Sequence, residues 1–244
     1  MKMHLNRKLS NPVKWAFLLL SLLCLSACED ARCIKGEGNV EQRTLQLQPF
    51  SKVEANGDFK VYITQGPTQQ VEVKGEPNIL DQVNTRVFNG RWRITHEECV
   101  RRSKPVEVYI TMPAVEGLSL NGSGSIYSEN KFAVTDLPVE VNGSGEIDLE
   151  LDAAKVMTRV TGSGEVRLSG SAEVQSINIS GSGNVSAFDL TAEDVTINMS
   201  GSGAAEVTAT NSLTVDLSGS GKVYYFGNPA VHTNISGSGK VVPK

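Results

Sequence analysis

Side chains able to do acid–base chemistry are few in this sequence and are scattered along it. His96 and His232 have neither the spacing of metal ligands nor that of a Ser–His–Asp arrangement, and His96, beside two glutamates, is typical of a solvated loop. Glu146 and Glu165 each follow a Gly-Ser-Gly triplet and could together form a polysaccharide-cleaving pair. Stacked surface carboxylates more often form a solvated edge. The sequence therefore favours a protein that is not an enzyme, with a polysaccharide-active enzyme as the less favoured alternative.

Metal and cofactor binding are not predicted either. Calcium-binding β-rolls repeat an aspartate in every turn after their glycine motif. Here the carboxylate does not recur at the equivalent position, so we expect no repeated calcium site, no other metal and no cofactor. That position holds Asp148, Arg167, Ser186, Glu206 and Tyr224 in successive repeats.

The cysteines carry clearer chemistry. Cys28 follows Leu25-Ser26-Ala27, and small residues directly before a cysteine resemble the bacterial lipoprotein signal, in which the sulfur receives a diacylglyceryl group. Several acyl chains would make such an anchor durable. Cys24 would leave with the signal, so Cys33 and Cys99 would remain in an oxidising compartment. We expect a disulfide between them, with two separate thiols as the alternative.

The first 27 residues have the layout of a secretory signal. A stretch with four basic residues precedes an apolar run from Trp15 to Leu25, which is too short for a membrane-spanning helix of about 20 residues. We predict a cleaved signal peptide over 1–27 and a lipidated tether over 28–35. The protein would lie in the bacterial envelope, anchored to a membrane, with the outer membrane favoured and the leaflet left open.

The rest of the chain is acidic apart from one basic cluster. Residues 1–27 hold four of the 23 Lys and Arg and none of the 27 Asp and Glu, which leaves 19 cations against 27 anions and a net charge of −8. That balance argues against nucleic acid, whose binding needs neutralised phosphates. Arg101 and Arg102 lie in a cluster that could contact phosphorylated lipid headgroups or another envelope polyanion, or that forms a solvated loop. The cluster consists of Arg86, Arg91, Arg93, Arg101, Arg102 and Lys104.

A repeat in the second half of the chain must position these groups. Gly-Ser-Gly triplets recur seven times at spacings of 18 to 21 residues, and a period near 19 is typical of a solenoid with one coil per repeat. An antiparallel meander would not require one motif at the same phase in every repeat. The triplets are Gly122–Gly124, Gly143–Gly145, Gly162–Gly164, Gly181–Gly183, Gly201–Gly203, Gly219–Gly221 and Gly237–Gly239.

Alternation of side chains places both glycines of a triplet on the inner side. Val139, Val141, Gly143 and Gly145 lie two residues apart, and strand side chains alternate between faces. Each serine then points outward. The polar residue before each triplet, such as Asn142, would satisfy backbone groups at the corner or belong to a ligand-binding surface. We predict an all-β, single-stranded, right-handed parallel β-helix with narrow corners where a Cβ would clash with the opposite wall.

Both ends of this β-helix are expected to differ from its middle. Residues 36–115 follow the pattern loosely and with larger core residues, so we predict irregular coils there that cap the regular coils over 116–244. The last coil ends at Pro243 and Lys244 and would expose strand edges. Either another copy stacks on it end to end, or the proline blunts the edge.

Several segments resemble the putative adhesins with the head GIN domain, which are common in envelope lipoproteins of Gram-negative bacteria. The resemblance covers essentially the whole chain after the signal. It implies a single-stranded right-handed β-helix over 36–244 and binding at the cell surface, and it brings no established ligand or catalytic residue. The segments are Gly36–Val40, Phe50–Glu54, Gly57–Val61, Thr64–Gly66 and the Gly-Ser-Gly series.

Residues and resemblance together predict a non-catalytic, lipid-anchored envelope binding module of the adhesin kind. Its ligand would be a surface or envelope molecule that the sequence does not identify. The alternative is a structural lipoprotein that faces the periplasm.

Overall fold

Strands with alternating apolar side chains dominate the computed structural model, which describes residues 33–101 and 103–244. The predicted fold is confirmed: the chain is a β-solenoid of about seven turns whose parallel pairs lie about 19 residues apart in the sequence. Residues Ile34–Lys244 form one unit around a single apolar core. The predicted signal peptide and the tether up to residue 32 lie outside the described residues.

The strands lengthen where the regular repeats begin, and one short helix, α1, lies before the fifth strand. The elements are β1 (Glu41–Leu45), β2 (Lys52–Gly57), β3 (Lys60–Gln65), β4 (Gln70–Gly75), α1 (Pro77–Leu80), β5 (Val87–Phe88), β6 (Arg91–Ile94), β7 (Glu107–Met112), β8 (Gly117–Gly122), β9 (Ser125–Ser128), β10 (Phe132–Gly143), β11 (Glu146–Gly162), β12 (Glu165–Gly181), β13 (Asn184–Gly201), β14 (Ala204–Gly219), β15 (Lys222–Phe226), β16 (Ala230–Gly237) and β17 (Lys240–Pro243).

Strands β11 to β14 each begin directly after one glycine triplet and end on the first glycine of the next. Because β10 to β14 pair in parallel register, residues at the same place in the repeat form columns along the axis. Inward columns are apolar, as in Val139, Val141 and their partners, while outward columns carry polar side chains. Burial of the inner columns removes apolar surface from water and is the main stabilising contribution of the stack.

Glycine is required at the corners because one corner packs directly on the next. Gly181 has a φ of 122°, and a Cβ there would lie 2.6 Å from the carbonyl oxygen of Gly162 in the preceding coil. The same oxygen accepts a hydrogen bond of 2.8 Å from the N–H of Ser182. A Cβ on the buried Gly183 would collide with the side chain of Val160. The prediction that a Cβ would clash with the opposite wall was therefore wrong, because the clash is with atoms of the neighbouring coil.

The first coil in the sequence is not the first in the stack. Strand β2 pairs with β6 on one side and β8 on the other, and β3 pairs with β7 and β9 in the same way, all in parallel. The β2–β3 coil is therefore inserted between the β6–β7 and β8–β9 coils. Its corner is Gly57-Asp58-Phe59, in which the buried Phe59 replaces the second glycine.

Antiparallel strands cover the end of the stack that the β6–β7 coil would otherwise expose. Strand β5 pairs with β6, while β4 pairs with β7 and is itself covered by β1. Since an uncovered parallel edge offers free hydrogen-bonding groups to other chains, these strands close this end of the solenoid.

The segment before β1 is held against α1. The amide of Asn78 donates to the carbonyl oxygen of Lys35 at 2.6 Å and its oxygen accepts from the N–H of Glu37 at 2.9 Å. Gly36 lies against the carboxylate of Glu76, which would have to move aside for a Cβ at this position. The Gly36–Val40 segment thus fastens the start of the described chain to the solenoid.

One fully buried amide interrupts the apolar core. Gln175 lies between Val156 and Val195 in an inward column, and within the described residues neither its Nε2 nor its Oε1 has a hydrogen-bond partner. The buried hydroxyl of Thr158, which lies on the neighbouring strand β11 with Val156, also lacks a hydrogen-bond partner among the described residues. A buried amide without partners costs free energy.

We therefore expect Gln175→Leu to stabilise the protein. Leucine matches the aliphatic neighbours of the column and removes the amide, so the free energy of unfolding should rise by about 1–3 kcal/mol. Urea denaturation of the two proteins checks this. Thr158→Val is the matched control and should give a smaller gain in the same direction. A loss of stability in Gln175→Leu would show that the amide is satisfied, for example by a buried water.

Candidate functional site

The outward side chains before the corners form a polar groove along the stack, here called the amide–hydroxyl groove. Its cavity volume is about 410 Å³, and the buried residues Ile179, Met199 and Leu217, which lie between its two outward rows, also line it. One row presents amide and carboxylate groups and the next row presents hydroxyls, with the rungs in parallel register. The polar lining consists of Arg159, Asn178, Asn198, Asp216 and Asn234 in the first row and Thr161, Ser180, Ser200, Ser218 and Ser236 in the second.

The asparagines before the corners of the first coils bond to each other along the axis. The amide of Asn142 donates to Asn121 at 2.9 Å, and Asn121 donates to Asn56 at 2.7 Å. Corner N–H groups are satisfied by glycine carbonyls of the preceding coil, as in the bond from Ser144 to Gly122. The expectation that these side chains would satisfy corner backbone groups was therefore wrong, which leaves the hydroxyls of the groove available to a ligand.

A stack of three tyrosines lies on the outer face after the corners. Tyr62 on β3 is in register with Tyr109 on β7 and with Tyr127 on β9. Ring centroids are 5.0 Å apart in the Tyr62–Tyr109 pair and 5.5 Å apart in the Tyr62–Tyr127 pair, at interplanar angles of 13° and 25°. The side chain of Tyr109 is 36% exposed. This tyrosine stack is a rigid aromatic surface on an otherwise polar face.

An acidic neighbour fixes one end of the tyrosine stack. The hydroxyl of Tyr109 donates to Glu107 at 2.9 Å, and Lys74 forms an ion pair with the same carboxylate at 2.9 Å. The hydrogen bond to Glu107, followed by burial, raises the pKa of Tyr109 to about 12. Burial, followed by the charge of Glu107, also raises the pKa of Tyr62. Both hydroxyls therefore stay protonated and can donate hydrogen bonds throughout the physiological pH range.

The tyrosine stack was not predicted from the sequence, although the chain carries a signal for it. Val61–Thr64 and Val108–Thr111 have the same sequence, Val-Tyr-Ile-Thr. In each the tyrosine lies between two buried residues. A repeated tetrapeptide with this alternation indicates two strands of the same register.

Glu146 and Glu165, the carboxylates considered for catalysis, are brought together but share a cation. They are in register on β11 and β12. Arg167 forms ion pairs with both, at 2.9 Å to Glu165 and at a short distance to Glu146. This arrangement is a charged edge bridged by one guanidinium rather than an acid–base pair that faces an open substrate position.

The basic cluster is divided by the structure. Arg91 and Arg93 both bind the nearly buried carboxylate of Glu54, at 3.0 and 2.8 Å. Burial alone would raise the pKa of Glu54, but the hydrogen bonds from the two arginines lower it. Arg101 is exposed, and its backbone N–H donates to the carbonyl oxygen of Ile34 at 2.8 Å. Arg102 lies outside the described residues.

Of the predicted cysteine sites, Cys28 lies outside the described residues. Cys33 and Cys99 both take part in disulfide bonding. Ile34, the residue after Cys33, donates to the carbonyl oxygen of Cys99 at 2.8 Å and forms a parallel bridge with Val100. The bond between Cys33 and Cys99 stays a prediction, and this local pairing supports it.

His96 is half-buried, so the expected solvated position was wrong. Its ring stacks on Phe59 with centroids 4.5 Å apart, and its Nε2 is buried without a partner among the described residues. Burial lowers the pKa of His96, and the charge of Asp58 opposes this effect only in part.

The lowered pKa predicts that mild acid destabilises the fold through His96. The unfolded chain, with a histidine pKa of about 6.5, binds the proton more tightly than the folded chain. Stability contributed by neutral His96 is therefore present above that pKa and is lost as the pH falls below it. Thermal melting between pH 7.5 and 5.5 should show a decrease for the unchanged protein and a smaller one for His96→Phe. Replacing the exposed His232 by phenylalanine should leave the decrease intact; equal decreases in all three proteins would contradict the prediction.

Residues 33–101 and 103–244 lack a membrane-spanning helix and a cluster of metal ligands. No helix in this part of the chain is both long enough and apolar enough to cross a membrane. The same part contains no group of three or more His, Cys, Asp or Glu side chains placed to hold a metal ion.

Stacked parallel coils with polar outer ladders define a β-solenoid whose long faces can hold extended ligands. The chain belongs to the family described as putative auto-transporter adhesin, head GIN domain, whose family model matches residues 49–229. No curated protein matches the chain.

Several solved structures share the fold. A putative adhesin from Bacteroides fragilis NCTC 9343 is 25% identical, with a TM-score of 0.78 over 86% of this chain and 99% of that one. A putative lipid binding protein from Parabacteroides distasonis ATCC 8503 is 23% identical, with a TM-score of 0.72 over 87% and 100% of the two chains. A putative adhesin from Parabacteroides merdae ATCC 43184 is 19% identical, with a TM-score of 0.70 over 86% and 98%.

Proposed function

We propose that this protein is a non-catalytic binding module that is anchored to the bacterial outer membrane through a lipid on Cys28 and displayed at the cell surface. The observation that carries the proposal is the combination of adhesin family membership with long polar faces whose rungs repeat in register. A repeated array of the same groups suits a ligand that is itself extended. Leu25-Ser26-Ala27 before Cys28 supports the lipid anchor.

The position of Arg101 supports a contact between the solenoid and the membrane. Its backbone pairs with Ile34, and Ile34 is only six residues after Cys28. Six extended residues span at most about 20 Å, so a lipid on Cys28 would allow Arg101, and Arg102 next to it in the sequence, to reach the headgroups. Anionic headgroups attract such cations within a Debye length of about 8 Å. The single carboxylate of Glu54 offsets one of the two charges of Arg91 and Arg93, so this pair contributes less.

Accessibility on whole cells tests the proposal. Intact Gram-negative cells that express the full-length protein are treated with proteinase K, and the protein is then detected by immunoblot. Display at the surface predicts cleavage without permeabilisation, and Cys28→Ala protein should be lost from the membrane fraction. A soluble periplasmic protein serves as the internal control. Protection until the outer membrane is breached would instead favour the periplasm-facing structural lipoprotein.

The C-terminal end of the stack gives a prediction about self-association. Every residue of β16 is exposed, including Val231 at 38% and Ile235 at 41%, whereas antiparallel strands cover the other end. Since antiparallel strands cover the other end, copies that associate through the exposed last coil should pair as closed dimers and not as filaments. Sedimentation at increasing concentration should show a dimer that Ile235→Lys abolishes. A monomer at every concentration would show that Pro243 and Lys244 suffice to blunt the edge.

A further inference from the structure

A shallow pocket of about 230 Å³ lies beside the tyrosine stack at the corners of the β2–β3, β8–β9 and β10–β11 coils. In one outward row Lys60, Ser125 and Glu146 are successive rungs. The short serine between two long side chains leaves a depression in the face. The side of the pocket nearer the corner is lined by Asp58, Ser123 and Ser144, and the opposite side is lined by Tyr127.

Tyr127 gives this pocket a preorganised aromatic wall. It is the end member of the stack, so Tyr62 packs on only one side of its ring. The next rung in its row is Asp148, which is shorter than a tyrosine and does not extend the stack. Because the ring is already held by its neighbour, it loses little conformational entropy when a ligand packs on it.

The remaining lining alternates donors and acceptors around that wall. Lys60 supplies an ammonium donor, Asp58 and Glu146 supply carboxylate acceptors, and the serines supply hydroxyls that do both. Arg167 forms an ion pair with Glu146 and holds it in place. The two carboxylates disfavour a polyanion, and the ammonium of Lys60 disfavours a cationic group at the same position. A ring with apolar C–H faces and a rim of hydroxyls satisfies every one of these groups.

We propose that this corner pocket binds one sugar residue of an uncharged polysaccharide, with a face of the sugar ring against Tyr127 and its hydroxyls on Lys60, Asp58 and Glu146. The inference rests on the proposed binding function and names its ligand class. The polysaccharide chain would continue along the edge of the tyrosine stack, where the hydroxyl of Tyr62 is a donor.

Binding of defined oligosaccharides tests the assignment. The full-length protein, purified in a detergent without sugar headgroups, is titrated with chitotetraose, cellotetraose, maltotetraose and mannotetraose. At least one should bind, and both Tyr127→Ala and Lys60→Ala should weaken that binding about tenfold, equivalent to about 1.4 kcal/mol. Tyr127→Phe keeps the ring and should retain most of the affinity. Tyr224→Ala, a tyrosine in the same outward row several coils away, is the matched control and should change nothing.

Other outcomes overturn the inference. The first is that none of the four tetrasaccharides binds, and the second is that Tyr127→Ala and Lys60→Ala both leave the affinity unchanged. The third is that, when a polycation (polylysine) and a polyanion (hyaluronate) are titrated in the same way, only one of these binds through Tyr127. Thermal melting of each variant separates a lost contact from a lost fold, and Lys60→Ala, at an exposed position, keeps the test valid if Tyr127→Ala unfolds. If the protein is displayed on cells but binds no saccharide, only this inference is overturned. If it binds a saccharide but is protected from protease on intact cells, only surface display is overturned.

Discussion

Alanine at Gly181 should lower the free energy of unfolding by about 3 kcal/mol, because two separate costs coincide at this corner. A side chain at a φ of 122° is strained by about 1–3 kcal/mol. In addition, the new Cβ would lie 2.6 Å from the carbonyl oxygen of Gly162, and overpacking of this kind costs about 1–3 kcal/mol. The displaced oxygen is also the acceptor for Ser182. The corner must open, and the defect falls in the middle of the stack, where both neighbouring coils depend on it.

Thermal melting measures this effect directly. For a domain of this size a loss of about 3 kcal/mol corresponds to a decrease in Tm of roughly 6–12 °C. Ser182→Ala is the matched control, since Ser182 is the exposed middle residue of the same triplet and should change Tm little. Equal melting temperatures for Gly181→Ala and the unchanged protein would contradict the stacked-corner account of the triplets.

The regular coils could be predicted because each repeat carries its own complete pattern. Val139 and Val141 lie on the inner side of β10, and the triplet that follows them recurs at the same phase, so parity and period together fix the strands and their register. The orientation of the first glycine could not be predicted in this way. Its positive φ turns the missing Cβ along the axis toward the preceding corner, and alternation in an ideal strand describes only inward and outward directions.

The order of the first coils could not be predicted from their sequence. The corner Gly57-Asp58-Phe59 lacks the second glycine, so it does not stand out as a member of the series. The β6–β7 coil lies on the far side of β2–β3 although it comes later in the chain. Such an insertion depends on pairing between strands that are distant in sequence, which local patterns do not encode.

The tyrosine stack depends on that inserted coil. Tyr62 and Tyr109 are 47 positions apart in the sequence and touch only because β3 lies between β7 and β9. Residues 133–222, where the repeats are most regular, contain Phe188 as their single aromatic residue. The regular half therefore gives no indication of an aromatic face. The candidate saccharide site arises where the repeat pattern is weakest and the stacking order departs from chain order.

Loss of the predicted Cys33–Cys99 bond should cost the most stability of any change considered, roughly 4 kcal/mol in the chain-entropy model. The bond would enclose residues 34–98, a long loop that contains β1 to β6 and α1, and closing a long loop removes much of the entropy of the unfolded chain. In the folded state the ends already meet, since Ile34 pairs with Cys99 and Val100. Without the bond this end would be held chiefly by the antiparallel strands and the contacts of Gly36 and Asn78 with their neighbours.

Urea denaturation of the chain from Glu29 onward, in which Cys33 and Cys99 are the only cysteines, isolates this bond. The double variant Cys33→Ser/Cys99→Ser should unfold at a lower urea concentration, and reductant should shift the unchanged protein to the same midpoint. Reductant should leave the double variant unaffected, which controls for effects unrelated to the thiols. Two readily titrated thiols in the folded, unreduced protein would exclude the bond.

Because the enclosed segment includes β3, which carries Tyr62, a weaker hold on this end should also loosen the tyrosine stack. Reduction is therefore expected to weaken any binding that depends on Tyr127, and that links the predicted disulfide to the proposed site.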